Sequence, residues 1–151
     1  MTHAELGEQP VRVLVVDDDQ TALQTMEGVL SEFDVVKCAS PLRAIEVARA
    51  EVAAKRPFDV VCSDFQMPTM NGVELLRAMS TLEQQPSCIL ITGYVEVLRG
   101  SYTRASHIVG IIIKPYDPEQ LIGLVGRLGR VTRLRRSIDQ MAGRVSARQK
   151  L

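Results

Sequence analysis

Apolar residues in this chain fall into short unbroken runs, separated by stretches where they recur every three or four positions. Val11 to Val16 is apolar except for Arg12 and stops at three aspartates, which fits a strand buried on both faces. Ala22, Met26, Val29 and Leu30 then recur at helical spacing, and Val35 to Cys38 is a second short strand. Ser40 and Pro41 read as an N-cap and a first-turn proline for a helix expected to turn Leu42, Ile45, Ala48 and Val52 inward. Phe58 to Cys62 reads as the third strand, ending at Ser63 and Asp64, and a loop from Phe65 to Asn71 leads into a helix carrying Val73, Leu76 and Met79. Cys88 to Ile91 and Ile108 to Ile113 are the fourth and fifth strands, ending at Thr92 and Lys114. A weaker helix is expected between them, over residues 95–106, because Gly100 and several β-branched residues lower its propensity. Asp117, Pro118 and Gln120 then open a last helix with close to a capping-box pattern.

Five strands alternating with five helices over short connections predict an α/β fold. The class is the flavodoxin-like doubly wound parallel sheet with helices on both faces, extended by a C-terminal helical segment. The length of 151 residues supports one domain with one core. The division expected is a flexible N-terminus over residues 1–10, a folded unit over 11–127 and a basic helical extension or linker over 128–151. No apolar run approaches the length of a membrane span and residues 1–10 lack a signal-like apolar stretch, so a cytoplasmic location is expected. Cys38, Cys62 and Cys88 are scattered in apolar segments, which predicts reduced buried thiols and neither a disulfide nor a zinc site. His3 and His107 have no partner at ligand spacing.

In such sheets the ligand site lies outside the carboxyl ends of the strands. Here those ends carry Asp17 and Asp18, Asp64, Thr92 and Lys114. Two carboxylates about 4 Å apart repel by roughly 4 kcal/mol at an effective dielectric near 20, so the cluster calls for a counter-ion or a raised pKa. Oxygen ligands without histidine or cysteine suit magnesium, and Lys114 and Thr92 add a charge and a hydroxyl suited to a phosphoryl oxygen. The chemistry this suggests is phosphoryl transfer to a carboxylate. Taken singly, each residue also has a plain structural role: a solvated helix cap at the aspartates, an Asx-turn at Asp64, a surface lysine before a proline turn.

The segments Val13-Leu-Val-Val-Asp-Asp-Asp19, Ser63-Asp-Phe-Gln-Met-Pro-Thr-Met-Asn-Gly72, Leu90-Ile-Thr-Gly93 and Ile113-Lys-Pro-Tyr116 closely resemble, in order and spacing, the four motifs of response-regulator receiver domains. The resemblance covers about residues 11–127. It implies an aspartyl phosphate at Asp64, formed by a sensor histidine kinase, with Mg2+ held by Asp18, Asp64 and the backbone carbonyl of Gln66 and assisted by Asp17. It also implies that Thr92 and Lys114 contact the phosphoryl group, that the Lys114–Pro115 peptide is cis, and that the chain is not an enzyme beyond its own phosphorylation and dephosphorylation. The family usually carries an aromatic residue three positions before the lysine; here that position is Ile111, so the usual ring switch is missing. Gln66 and Tyr94 occupy the positions that influence autodephosphorylation in the family, and Tyr94 is expected to hinder the attacking water.

Net charge is zero over the chain, yet from Pro118 onward eight basic residues face two acids, a net of +6. Val131, Leu134, Ile138, Met141 and Val145 recur there at spacings of three and four, while Gly126, Gly129 and Gly143 weaken the helix. The segment reads either as an ordered interaction helix or as a frayed basic tail or linker. Output by contact with a downstream protein is expected. A homodimer through the face of the fourth helix, fifth strand and fifth helix, or through this extension, is an option; sequence-specific DNA binding is not expected in so few residues. Two other readings compete. One is a receiver kept as a fixed interaction module without phosphorylation. The other is a haloacid-dehalogenase-like phosphatase, whose nucleophile motif Asp17-x-Asp19-x-Thr21 matches but which leaves Asp64 unexplained.

Overall fold

The structure is a computed structural model that describes residues 9–94, 96 and 107–149. Nine elements follow in order among the described residues: β1 (Arg12–Val16), α1 (Gln20–Val29), β2 (Asp34–Cys38), α2 (Pro41–Ala53), β3 (Val60–Asp64), α3 (Gly72–Ser80), β4 (Ser87–Thr92), β5 (Ile108–Ile113) and α4 (Pro118–Gln149). The strands form one parallel sheet in the order β2-β1-β3-β4-β5, the doubly wound topology expected. The helix expected over residues 95–106 and most of the expected flexible N-terminus lie outside the described residues.

Alternation along the central strands divides the core in two. Val13 and Val15 of β1 pack with Leu23 and Met26 of α1 and with Leu121 and Val125 of α4 on one face. Leu14 and Val16 pack with Ala44 and Ala48 of α2 and with Val73, Leu75, Leu76 and Met79 of α3 on the other. Fully burying side chains of this size contributes about 1.5–3 kcal/mol each, which is why a sheet with two apolar faces needs helices on both. Register aligns the strand ends: Val16 pairs with Ser63 and Asp64 with Ile91.

Local expectations were corrected at several points. Strand β3 runs Val60–Asp64 rather than starting at Phe58. In α2 the helix begins on Pro41, so the inward positions are Pro41, Ala44 and Ala48; Leu42, one hundred degrees further round, points outward and is 52% exposed. The glycines of the last helix do not fray it. Helix α4 runs unbroken across residue 127, with Gly126 and Gly129 among its buried residues. A Cβ on Gly129 would sit 2.5 Å from a methyl of Val11, so this glycine is what lets helix and sheet approach. The three thiols are free and buried, as expected. Burial pushes Cys62 and Cys88 up to about 12, with Cys88 adding to the effect on Cys62. His107 packs its ring nitrogen Nε2 3.3 Å from the Val73 carbonyl, a structural role.

Candidate functional site

Sequence places each acidic group at a strand end, and the sheet order brings those ends together. Asp17 follows β1, Asp64 closes β3, Thr92 closes β4 and Lys114 follows β5. Oxygens of Asp17, Asp18 and Asp64 lie within 4.8 Å of one another. Lys114 Nζ donates to Asp64 Oδ1 at 3.0 Å and to Asp17 Oδ2 at 3.4 Å. Asp17 is only 2% exposed, while Asp18 faces solvent. Among the described residues, one ammonium faces three carboxylates, and the candidate ligands are all oxygens, which fits a hard divalent cation such as magnesium.

The third aspartate of the run has a different task. Asp19 accepts a hydrogen bond from Thr21 N at 2.9 Å and caps α1, and its backbone N–H donates to Asp17 Oδ1 at 2.9 Å. The phosphatase reading leaves unexplained why Asp64 joins Asp17 and Asp18 in the crevice, and it is not favoured.

Burial raises the Asp64 carboxyl above the usual aspartate range; hydrogen bonding and charge from Lys114 pull it back, nearby Asp17 pushes it further up, and the Phe65 N–H lowers it. For Lys114, burial acts to lower the ammonium, but the hydrogen bond and charge of Asp64 and Asp17 outweigh it and the net shift is upward. Thr92 is 1% exposed, and its Oγ1 accepts from Tyr94 N at 2.9 Å, so the hydroxyl proton is not used in that contact. The half-exposed Tyr94 ring lies against Phe65, 6.4 Å between centroids and tilted by 58°. Gln66 is exposed in the loop after Asp64. The Lys114–Pro115 peptide is cis, as the motif implied.

Gly72 plays a larger part than turn chemistry suggests. Asn71 caps α3 in a reciprocal capping box with Glu74, and Gly72 N donates to Phe65 O at 2.8 Å. A Cβ on Gly72 would stand 2.2 Å from the Asp64 carbonyl oxygen. Only glycine lets the start of α3 close over the loop that holds Asp64. Sequence reasoning missed this, although the glycine eight residues after the aspartate was the available signal.

The response regulator receiver domain model matches residues 13–126. The chain belongs to the response regulator receiver domain family. This receiver domain is 32% identical, over 80% of its length, to an uncharacterized response regulatory protein of Yersinia pestis and spans about half of that relative's length, 49%. Its fold is shared with solved structures. One is described as an adenylate cyclase from Rhodopirellula baltica, at TM-score 0.80 and 23% identity over 89% of this chain and 98% of that one. Another is a response regulator receiver domain protein from Clostridium thermocellum, at TM-score 0.71 and 21% identity over 82% and 98%. Receiver domains are typically magnesium-dependent and generally not enzymes. No described helix is long and apolar enough to cross a membrane.

Proposed function

We propose that this receiver domain accepts a phosphoryl group on Asp64 from a sensor histidine kinase in a magnesium-dependent reaction and passes the signal on by protein contact. The supporting observation is the convergence of Asp17, Asp18 and Asp64 with Lys114, whose Nζ lies 3.0 Å from Asp64 Oδ1. Asp17, Asp18, Asp64 and the Gln66 backbone carbonyl are the groups that would hold Mg2+. The bound ion supplies neutralisation of phosphoryl and carboxylate charge.

In the reaction one Asp64 carboxylate oxygen forms a bond to phosphorus while the bond from phosphorus to the donor nitrogen of phosphohistidine breaks, its electron pair staying on the imidazole. Lys114 balances charge on a phosphoryl oxygen, and Thr92 donates its hydroxyl proton to another. Burial of the Asp64 carboxyl opposes its ionisation in the metal-free protein, so the counter-ions make the nucleophile available. A cleft lined by Ala22, Met26, Val29, Pro115 and Tyr116 opens beside Lys114 and offers the donor protein an apolar surface next to the site. No separate substrate is turned over in this reading, which makes the chain a signalling module rather than an enzyme. A fixed, non-phosphorylated module is not favoured, because every group the chemistry needs is present.

Intact mass after incubation with acetyl phosphate and magnesium tests the proposal. One added phosphoryl group is expected in the parent, none in Asp64→Asn and none in EDTA. A folded, magnesium-loaded protein that gains no mass overturns it.

A further inference from the structure

Helix α4 has two apolar faces. Its inner face carries Leu121, Val125, Gly126, Gly129 and Thr132 against the sheet. At one hundred degrees per residue, the stripe Val131, Leu134, Ile138, Met141 and Val145 lies close to diametrically opposite that face. All five are between 52 and 63% exposed. Residues 137–149 are exposed throughout, and because Asp139 and Gln140 still border clefts shared with Glu83 and Gln84, the part that projects past the domain is residues 141–149, roughly 13 Å of helix.

What surrounds the stripe decides what can cover it. Arg127 and Arg148 continue the alternation of three and four at its two ends, and Arg130, Arg135 and Arg144 lie along its sides, Arg135 also donating to the Gln85 carbonyl at 3.2 Å. The one acid in the sequence after Glu119, Asp139, lies off the stripe on the side toward the domain, where it borders a cleft with Glu83 and Gln84. A second copy laid along this seam in parallel would set Arg130 of each copy against Arg135 of the other, and an antiparallel copy would again set arginine only against arginine. Apolar knobs in a rim of one sign attract a surface of the opposite sign and disfavour self-pairing.

We propose that the outer face of α4 docks an amphipathic helix of a partner protein whose apolar stripe is flanked by aspartate and glutamate. The occupant is thus an acidic helix, in preference to a second copy of this chain. This specifies the partner chemistry for the protein-contact output read above, and it holds whether or not Asp64 is phosphorylated.

The test uses the full chain and two synthetic helical peptides with the same leucine and isoleucine stripe, one flanked by glutamate and one by lysine. A monomeric chain at tens of micromolar is expected to bind the glutamate-flanked peptide roughly tenfold or more tightly than the lysine-flanked one at low salt. Raising the salt should narrow the difference. Leu134→Ser with Ile138→Ser should abolish binding without lowering the melting temperature, since both side chains face solvent in the free chain. Arg130→Glu with Arg135→Glu should reverse the preference between the peptides. A concentration-dependent dimer lost in the double serine variant would show a second copy on the seam and overturn the proposal. Equal affinity for the two peptides would overturn it as well, and so would binding to phosphatidylglycerol vesicles with no binding to either peptide.

Discussion

At Asp64 and its neighbours, small differences in environment decide chemistry. Burial raises the Asp64 carboxyl, so the folded chain holds that proton more tightly than the unfolded one. Such a group adds stability below its unfolded value, and that stability is lost as pH rises through the raised folded value. Melts in EDTA are therefore expected to show falling stability across that window in the parent and a flatter profile in Asp64→Asn. Magnesium at about one hundred times its dissociation constant should restore about 2.7 kcal/mol, shrinking as falling pH protonates the carboxyl. Among the described residues, Lys114 is the cation that reaches both carboxylates. Lys114→Met should slow uptake of phosphoryl from acetyl phosphate by about 100-fold, measured by intact mass, without reducing magnesium affinity. Tyr94 packs its ring against Phe65, the residue after Asp64. Tyr94→Ala is expected to lose the phosphoryl group several-fold faster than the parent, and a rate no faster would refute its role as a shield.

Among the elements, α4 shows how one residue type takes opposite roles on one helix. A Cβ at Gly129 would meet both Val11 methyls, while at Gly143 it would meet nothing within 4 Å. Gly143→Ala should raise helix content and stability by about 0.5–1 kcal/mol, as expected of an exposed helical glycine. Gly129→Ala carries the same propensity gain but forces the helix off the sheet, and should cost about 1–3 kcal/mol. Urea unfolding of the two variants, side by side, separates the effects. Gly129 weakens the helix as a sequence and strengthens it as a packed element, because propensity counts only the isolated chain.

In the whole molecule, the trajectory of α4 is set at the edge of the sheet opposite the carboxylate crevice. Asp59, 3% exposed and just before β3, accepts from Arg12 N at 2.9 Å, Arg133 Nε at 3.1 Å and Arg136 Nη1 at 3.0 Å. Arg136 also donates to the carbonyls of Phe58, Gln84 and Gln85. The buried hydroxyls of Ser87 and Thr132, 2.6 Å apart, join β4 to the same helix. Asp59→Ala would leave the partly buried arginines without their counter-charge and should destabilise the chain by about 3 kcal/mol in urea. Because β3 separates Asp59 from Asp64 by about 16 Å, phosphorylation of the folded variant should proceed at the parent rate.

The five strands, the two-sided core and the carboxylate set were readable in the chain because each is written locally. Continuous apolar runs mark strands buried on both faces, and the groups that follow them must emerge at one edge of a parallel sheet. The aspartates, Thr92 and Lys114 were therefore nameable before any coordinate was known, and so was the amphipathic stripe beyond residue 130. Other features depend on which distant residues meet. That Asp19 caps a helix while Asp17 and Asp18 line the crevice, that Gly72 must clear the Asp64 carbonyl, and that Gly129 seats a helix on Val11 are all decided by approach distances. The same holds for the arginines of α4, which the sequence left open between an interaction helix and a frayed basic tail or linker. Arg133 and Arg136 turn inward to a buried aspartate more than seventy residues away, Arg135 reaches the Gln85 carbonyl, and Arg130 and Arg144 stay exposed beside the stripe. Periodicity states which face of a helix is apolar; only packing settles which face the domain covers and which it leaves for a partner.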